Sequence, residues 1–178
     1  MKKMILIIGY QNYSEKIGNA KVQGLYPFDV SKVAFIPSTL DEDIEGFRRV
    51  ISLIYKEEAK NKIQSWIKHN KTGKNVAEEL LTKKNVILVN VCDDHTDQAD
   101  KIKKWIIDNQ NSIKVLILGG EVYKELYDDL AKCLNEDDLA KYPNPIERAA
   151  DDVFWRNIDY KDIQKKYDDE QKIIHFFD

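Results

Sequence analysis

Four short segments of this chain carry side chains suited to gripping a flat, polar heterocycle. Gly9-Tyr10-Gln11-Asn12-Tyr13 is a glycine-led polar turn, and Gly24-Leu25-Tyr26-Pro27-Phe28 brings further aromatics. Leu88-Val89-Asn90-Val91 ends an apolar run on a carboxamide, and Tyr142-Pro143-Asn144-Pro145-Ile146 is a proline-framed loop ending in an apolar side chain. Each residue type has a definite use. An aromatic face stacks on a base for roughly 1–3 kcal/mol. A carboxamide offers both a donor and an acceptor to a base edge. Prolines restrict the backbone that presents an apolar tip. A nucleobase drawn out of a duplex needs this combination of stacking, edge reading and a wedge.

The elements that must position these segments follow from hydrophobic periodicity. Residues 3–8 read as a fully buried strand stopped at Gly9, and residues 9–30 as a long loop. The apolar run 33–36 is broken by Pro37, after which Ser38 or Thr39 offers an N-cap for a helix starting near Asp41. Apolar residues then recur at helical spacing over 43–70 (Ile44, Phe47, Val50, Ile51, Ile54, Tyr55, Ile63, Trp66, Ile67), as one bent helix or two around Lys56-Glu57-Glu58. A turn at Lys71-Thr72-Gly73, a helix over 75–83 and a second buried strand over 85–91 follow. Residues 97–108 form an amphipathic helix, 113–118 a third buried strand ended by Gly119-Gly120, and 121–134 a helix. A helical stretch starts at Glu147, and 173–177 suits an edge strand.

Apolar strands alternating with helices predict an α/β fold: a single domain over residues 1–178, three-layer α/β/α, with a central, mainly parallel sheet. Ligands of such sheets sit outside the carboxyl ends of the strands, where Gly9, Asn90 and Gly119 all fall.

The chain of 178 residues is long enough to bury a core without disulfides or metals. Its two cysteines, Cys92 and Cys133, are too few for a disulfide framework and read as reduced thiols. No run approaches the ~20 apolar residues of a membrane span, so a cytoplasmic protein without membrane attachment is expected. The net charge of −3 argues against non-specific nucleic-acid binding, although Lys16, Lys21 and Lys32 flank the first two loops. Asp93-Asp94-His95 has metal-ligand types, but capping of the following helix is the simpler use. His69 and His175 stand apart from any nucleophile, and Gly119-Gly120 lacks the rest of a dinucleotide fingerprint.

In this order and context the segments resemble the uracil-DNA glycosylase superfamily, whose pattern runs G-Q-D-P-Y, G-L-x-F-S-V, L-L-L-N at a strand end, an apolar strand ending in W-G, and H-P-S-P-L. Here the matching segments are G-Y-Q-N-Y, G-L-Y-P-F-D-V, I-L-V-N, L-I-L-G-G and Y-P-N-P-I, and Ile36-Pro37-Ser38-Thr39-Leu40 looks like the family's I-P-P-S-L. Phe154-Trp155-Arg156-Asn157 resembles a further aromatic-and-Asn segment of the family.

The resemblance implies a uracil-DNA glycosylase-like domain acting in DNA repair by base excision, a hydrolase that needs no cofactor and no metal. Its partner would be DNA or a free nucleobase. Asn90 would read the base edge, and Phe28, or Tyr26 if the inserted residue sits differently, would stack on it. Tyr13 would crowd the position of a thymine methyl. Pro143, Asn144, Pro145 and Ile146 would form the wedge loop entering the duplex.

At the two positions of bond-breaking chemistry the types differ. The family's Asp falls at Gln11, followed by Asn12, so a carboxamide would hold the attacking water without a negative charge. The family's His falls at Tyr142, whose phenol would donate to the departing base. The alternative is a catalytically inactive member that binds a base or nucleic acid, or serves as a protein-interaction module.

Overall fold

The computed structural model describes residues 1–10, 13–27, 32–93, 96–118, 124–142 and 177. The chain begins with β1 (Met4–Gly9), β2 (Asn19–Lys21) and β3 (Lys32–Pro37), then α1 (Glu45–Tyr55), α2 (Ala59–Lys68) and α3 (Gly73–Glu79). It continues through β4 (Val86–Asn90), β5 (Cys92–Asp93), β6 (Thr96–Asp97), α4 (Ala99–Asp108), β7 (Ile113–Leu118), α5 (Lys124–Leu130) and β8 (Leu139–Tyr142).

The fold is α/β. Four strands form one parallel sheet in the order β4-β1-β7-β8, with helices in the connections between them. Parallel neighbours need such long crossovers, because a tight turn cannot return the chain to the same end. Ile5 to Ile8 are all buried, although successive side chains leave a strand on opposite faces. Both faces of β1 are therefore covered, and the same holds for β4, buried from Val86 to Asn90. Uninterrupted apolar runs are what such doubly covered strands require.

The 43–70 pattern resolves into two helices. Phe47, Val50, Ile51 and Ile54 form the inward stripe of α1, and Ala59, Ile63 and Trp66 that of α2. Between them Lys56 adopts φ 54°, and a 3-10 turn (Lys56–Glu58) redirects the chain. Neither expected N-cap is used: Ile44 precedes α1 with no side-chain cap. Ser38 instead donates its hydroxyl to the Ile17 carbonyl at 2.9 Å, and Thr39 bridges to Thr72. A capping box does occur at α3, where Thr72 and Asn75 bond reciprocally.

The α3 helix loosens into a π turn (Leu80–Lys84) that ends at left-handed Asn85, so β4 starts one residue later than periodicity suggests. Within the expected 9–30 loop, Asn19–Lys21 pairs antiparallel with β3, and a two-residue ladder joins β5 to β6. Neither ribbon is long enough to show periodicity. The Asp97 start expected for α4 is replaced by Ala99 because Asp97 belongs to β6.

The clearest addition is β8, a fourth parallel strand where a loop was expected. Its four residues are too few for a sequence signal, but Val115 donates to the Asp138 carbonyl at 2.7 Å, and Lys3 bonds the buried Asp138 carboxylate at 2.6 Å. Residues 131–134 lie beyond the end of α5. The helix expected from Glu147, and residues 173–176 of the expected edge strand, lie outside the described residues. Among the described residues no helix is long and apolar enough to cross a membrane.

Gly73 locks the helical layer to the strand ribbon. Its amide donates to the Ser38 carbonyl at 3.1 Å, and a Cβ there would strike the Pro37 carbonyl oxygen and lie 2.8 Å from the Ala20 Cβ. Backbone cannot yield as a side-chain tip can, so Gly73→Ala is expected to lower stability by about 1–3 kcal/mol, the usual penalty of overpacking. Urea unfolding midpoints of the two proteins check this, and equal midpoints would contradict it.

Candidate functional site

Sheet register turns residues distant in sequence into neighbours. Gly9 pairs with Asn90, Ile8 pairs with Ile117, and Leu118 pairs with Tyr142. Asn90, Gly9, Leu118 and Tyr142 thus form one transverse row at the carboxyl edge. With strands about 4.8 Å apart, the row spans roughly 14 Å from Asn90 to Tyr142. The chain leaves β1 for β4 on one side, then returns past β1 to β7 on the other. Ligand crevices of open α/β sheets form where the winding reverses in this way, here between Gly9 and Leu118.

Asn90 is 1 % exposed, a carboxamide taken almost wholly from water. Val91 next to it donates to the Gly9 carbonyl at 3.0 Å, and Gln98 donates to the Val91 carbonyl at 2.8 Å. These bonds carry the ladder past the end of β4 and hold the Asn90 backbone rigidly. Tyr10, the first residue beyond β1, is half exposed.

Tyr13 donates its amide to the Asn19 Oδ1 at 2.9 Å, and the Asn19 Nδ2 donates to the Val33 carbonyl at 2.9 Å. One buried carboxamide therefore ties the loop after β1 to the start of β3. The Tyr13 hydroxyl is buried without a hydrogen-bond partner among the described residues. Tyr26 cannot serve as the stacking alternative to Phe28. It is buried, and its hydroxyl accepts from the Leu88 amide at 3.4 Å, on the side of β4 away from β1.

Sequence reasoning passed over two residues here. Asn19 carries no distinguishing signal, since its value lies in reaching two partners at once. Phe35 reads as part of a plain apolar run. In the structure it has φ 64°, and its ring packs on Gly9 so closely that a Cβ on Gly9 would fall inside it. A left-handed backbone is rare for a bulky residue and has no signature in sequence.

Of the expected site residues, the structure brings Asn90 and Tyr142 onto one row, the latter through its β8 backbone pairing, and places Tyr13 on the segment following β1. Gln11, Asn12, Phe28, Pro143, Asn144, Pro145 and Ile146 lie outside the described residues, as do Gly119, Gly120, Asp94 and His95. Among the described residues no group of three or more His, Cys, Asp or Glu side chains could hold a metal ion. His69 is exposed beyond α2, with Nδ1 2.7 Å from the Ser65 carbonyl. Cys133 is a free, partly buried thiol. A cavity of about 240 Å³ lined by Tyr55, Lys56, Lys84 and Phe177 opens before the amino end of β4, away from the row.

Burial pushes the phenols of Tyr13 and Tyr26 above their ordinary range, the latter despite the Leu88 bond. Burial, then the Glu79 charge, does the same to Tyr55. Folded phenols thus stay protonated where unfolded ones ionise. Their contribution to stability is complete below the ordinary phenol value of about 10 and is lost as pH rises above it. Urea midpoints are expected to fall between pH about 9 and about 11. Tyr13→Phe should lessen that fall and leave stability near neutrality unchanged or higher, because it removes an unbonded buried hydroxyl. A marked loss near neutrality would contradict this.

Comparison with protein-family models, with curated proteins and with solved structures finds no match to this chain.

Proposed function

We propose that the carboxyl edge of the sheet is a nucleobase pocket, and that the protein recognises uracil or a related base in DNA. The observation that carries this reading is a buried carboxamide, Asn90, in one row with Gly9 and Tyr142 beside the point where the winding reverses. A rigid carboxamide shielded from water discriminates bases well, since a mismatched base leaves buried polar groups unpaired. Right-handed crossovers, the rule for parallel strands, would set α1 to α3 over one face and α4 with α5 over the other. That is the three-layer arrangement a uracil-DNA glycosylase-like fold requires.

The corresponding reaction is N-glycosidic hydrolysis. The C1′–N bond breaks with its electron pair leaving on the base, water adds its oxygen to C1′, and the proton released ends on the base. Gln11 or Asn12 would hold the water, and the Tyr142 phenol would bond the departing oxygen. The loop from Pro143 to Ile146 would fill the gap left in the duplex. A neutral carboxamide does not offset the positive charge developing on the sugar, so turnover would be slow. The chemistry needs no metal or cofactor.

The types at Gln11 and Tyr142 favour a second reading, a silent member that binds a base without releasing it. Electrostatic groups of this kind each contribute several kcal/mol to a transition state.

Uracil release from a single-stranded oligonucleotide at high protein concentration is the test. Wild-type protein is expected to release uracil slowly and to bind the uracil strand more tightly than its thymine counterpart. Asn90→Ala should reduce that preference by about tenfold or more, the worth of a buried hydrogen-bonded reader. Preferential binding without release selects the silent reading, and neither binding nor release ends both.

A further inference from the structure

We propose that Phe35 is an aromatic platform on which a base stacks, presented by a bulge in β3. This rests on the base-pocket reading and names a residue that the sequence pattern does not.

Asn19 pairs with Pro37 and Lys21 with Lys32, so two steps along β2 face five along β3. The surplus residues bulge, and Phe35 lies among them in a left-handed conformation. Bulges turn side chains out of their regular direction and recur beside active sites. A bulky residue at positive φ is strained and persists only where its surroundings enforce it. Here Asn19 holds the Val33 carbonyl, Ala34 and Ile36 on either side of Phe35 are fully buried, and Gly9 provides the one position in β1 without a side chain.

The ring comes to rest beside the reader. The absent Cβ of Gly9 points into the Phe35 ring, and Asn90 is the register partner of Gly9. Paired residues of neighbouring parallel strands project from the same face, so ring and carboxamide share one face on adjacent strands. Phe35 is only partly buried, unlike its neighbours Ala34 and Ile36. A flat ring beside a buried donor–acceptor pair suits a planar heterocycle with hydrogen-bonding edges, a pyrimidine above all.

The test uses the full chain, with uracil- and thymine-containing single-stranded oligonucleotides titrated by fluorescence anisotropy. Phe35→Leu keeps apolar bulk but loses the flat face, and is expected to weaken uracil-strand binding about tenfold, the scale of one lost base stack. Phe35→Trp should retain binding, and its indole emission should change as the uracil strand is added. Phe35→Asn, suited to a left-handed backbone, should melt above Phe35→Ala while binding equally poorly.

Wild-type affinity in Phe35→Leu overturns the platform while the pocket reading stands. If the wild-type chain does not prefer the uracil strand, the pocket reading falls and the platform with it.

Discussion

Strand β1 is hydrogen-bonded on both sides and packed on both faces, and its register with β4 sets Gly9 beside Asn90. A slip of one residue would turn every side chain of a strand to the opposite face. Burial of Ile5 to Ile8 makes that slip prohibitive, since each alternate position already faces a filled layer. The carboxyl-edge row is thus a consequence of core packing.

Against this rigid sheet stands a deliberately irregular ribbon. The bulge in β3 and the left-handed Phe35 are locally unfavourable, and Asn19 offsets them by satisfying the Tyr13 amide and the Val33 carbonyl together. The strain lies at Phe35, and the compensation lies in these hydrogen bonds and in the buried Ala34 and Ile36 on either side. Such a division is common where a side chain must be aimed rather than merely buried.

The helical layer beneath is braced by polar groups as well as apolar ones. Trp66 donates to Glu79 at 2.9 Å, and Lys62 lies 2.6 Å from the same carboxylate, tying α2 to α3. Burial raises the pKa of Glu79, but the bonds from Lys62 and Trp66 and the nearby lysine charges outweigh it and bring it below the usual range. Tyr55 packs edge-on against Trp66 at 5.7 Å, so an aromatic contact braces α1 against α2 beside the bend.

Long apolar runs and helical stripes were legible from residues alone, because burial on both faces of a strand or one face of a helix leaves a period in the chain. That period identified β1, β4 and β7, the stripes of α1 and α2, and Asn90 as a carboxamide at a carboxyl end. It could not disclose β8, whose four residues owe their pairing to β7 and to the Lys3–Asp138 bond. Nor could it disclose Phe35, because a positive φ and the close approach of a ring to Gly9 are relations between segments 26 residues apart in sequence. Periodicity reports which residues are buried, whereas register, bulges and backbone handedness report against what they are buried, and only the packed chain contains that information.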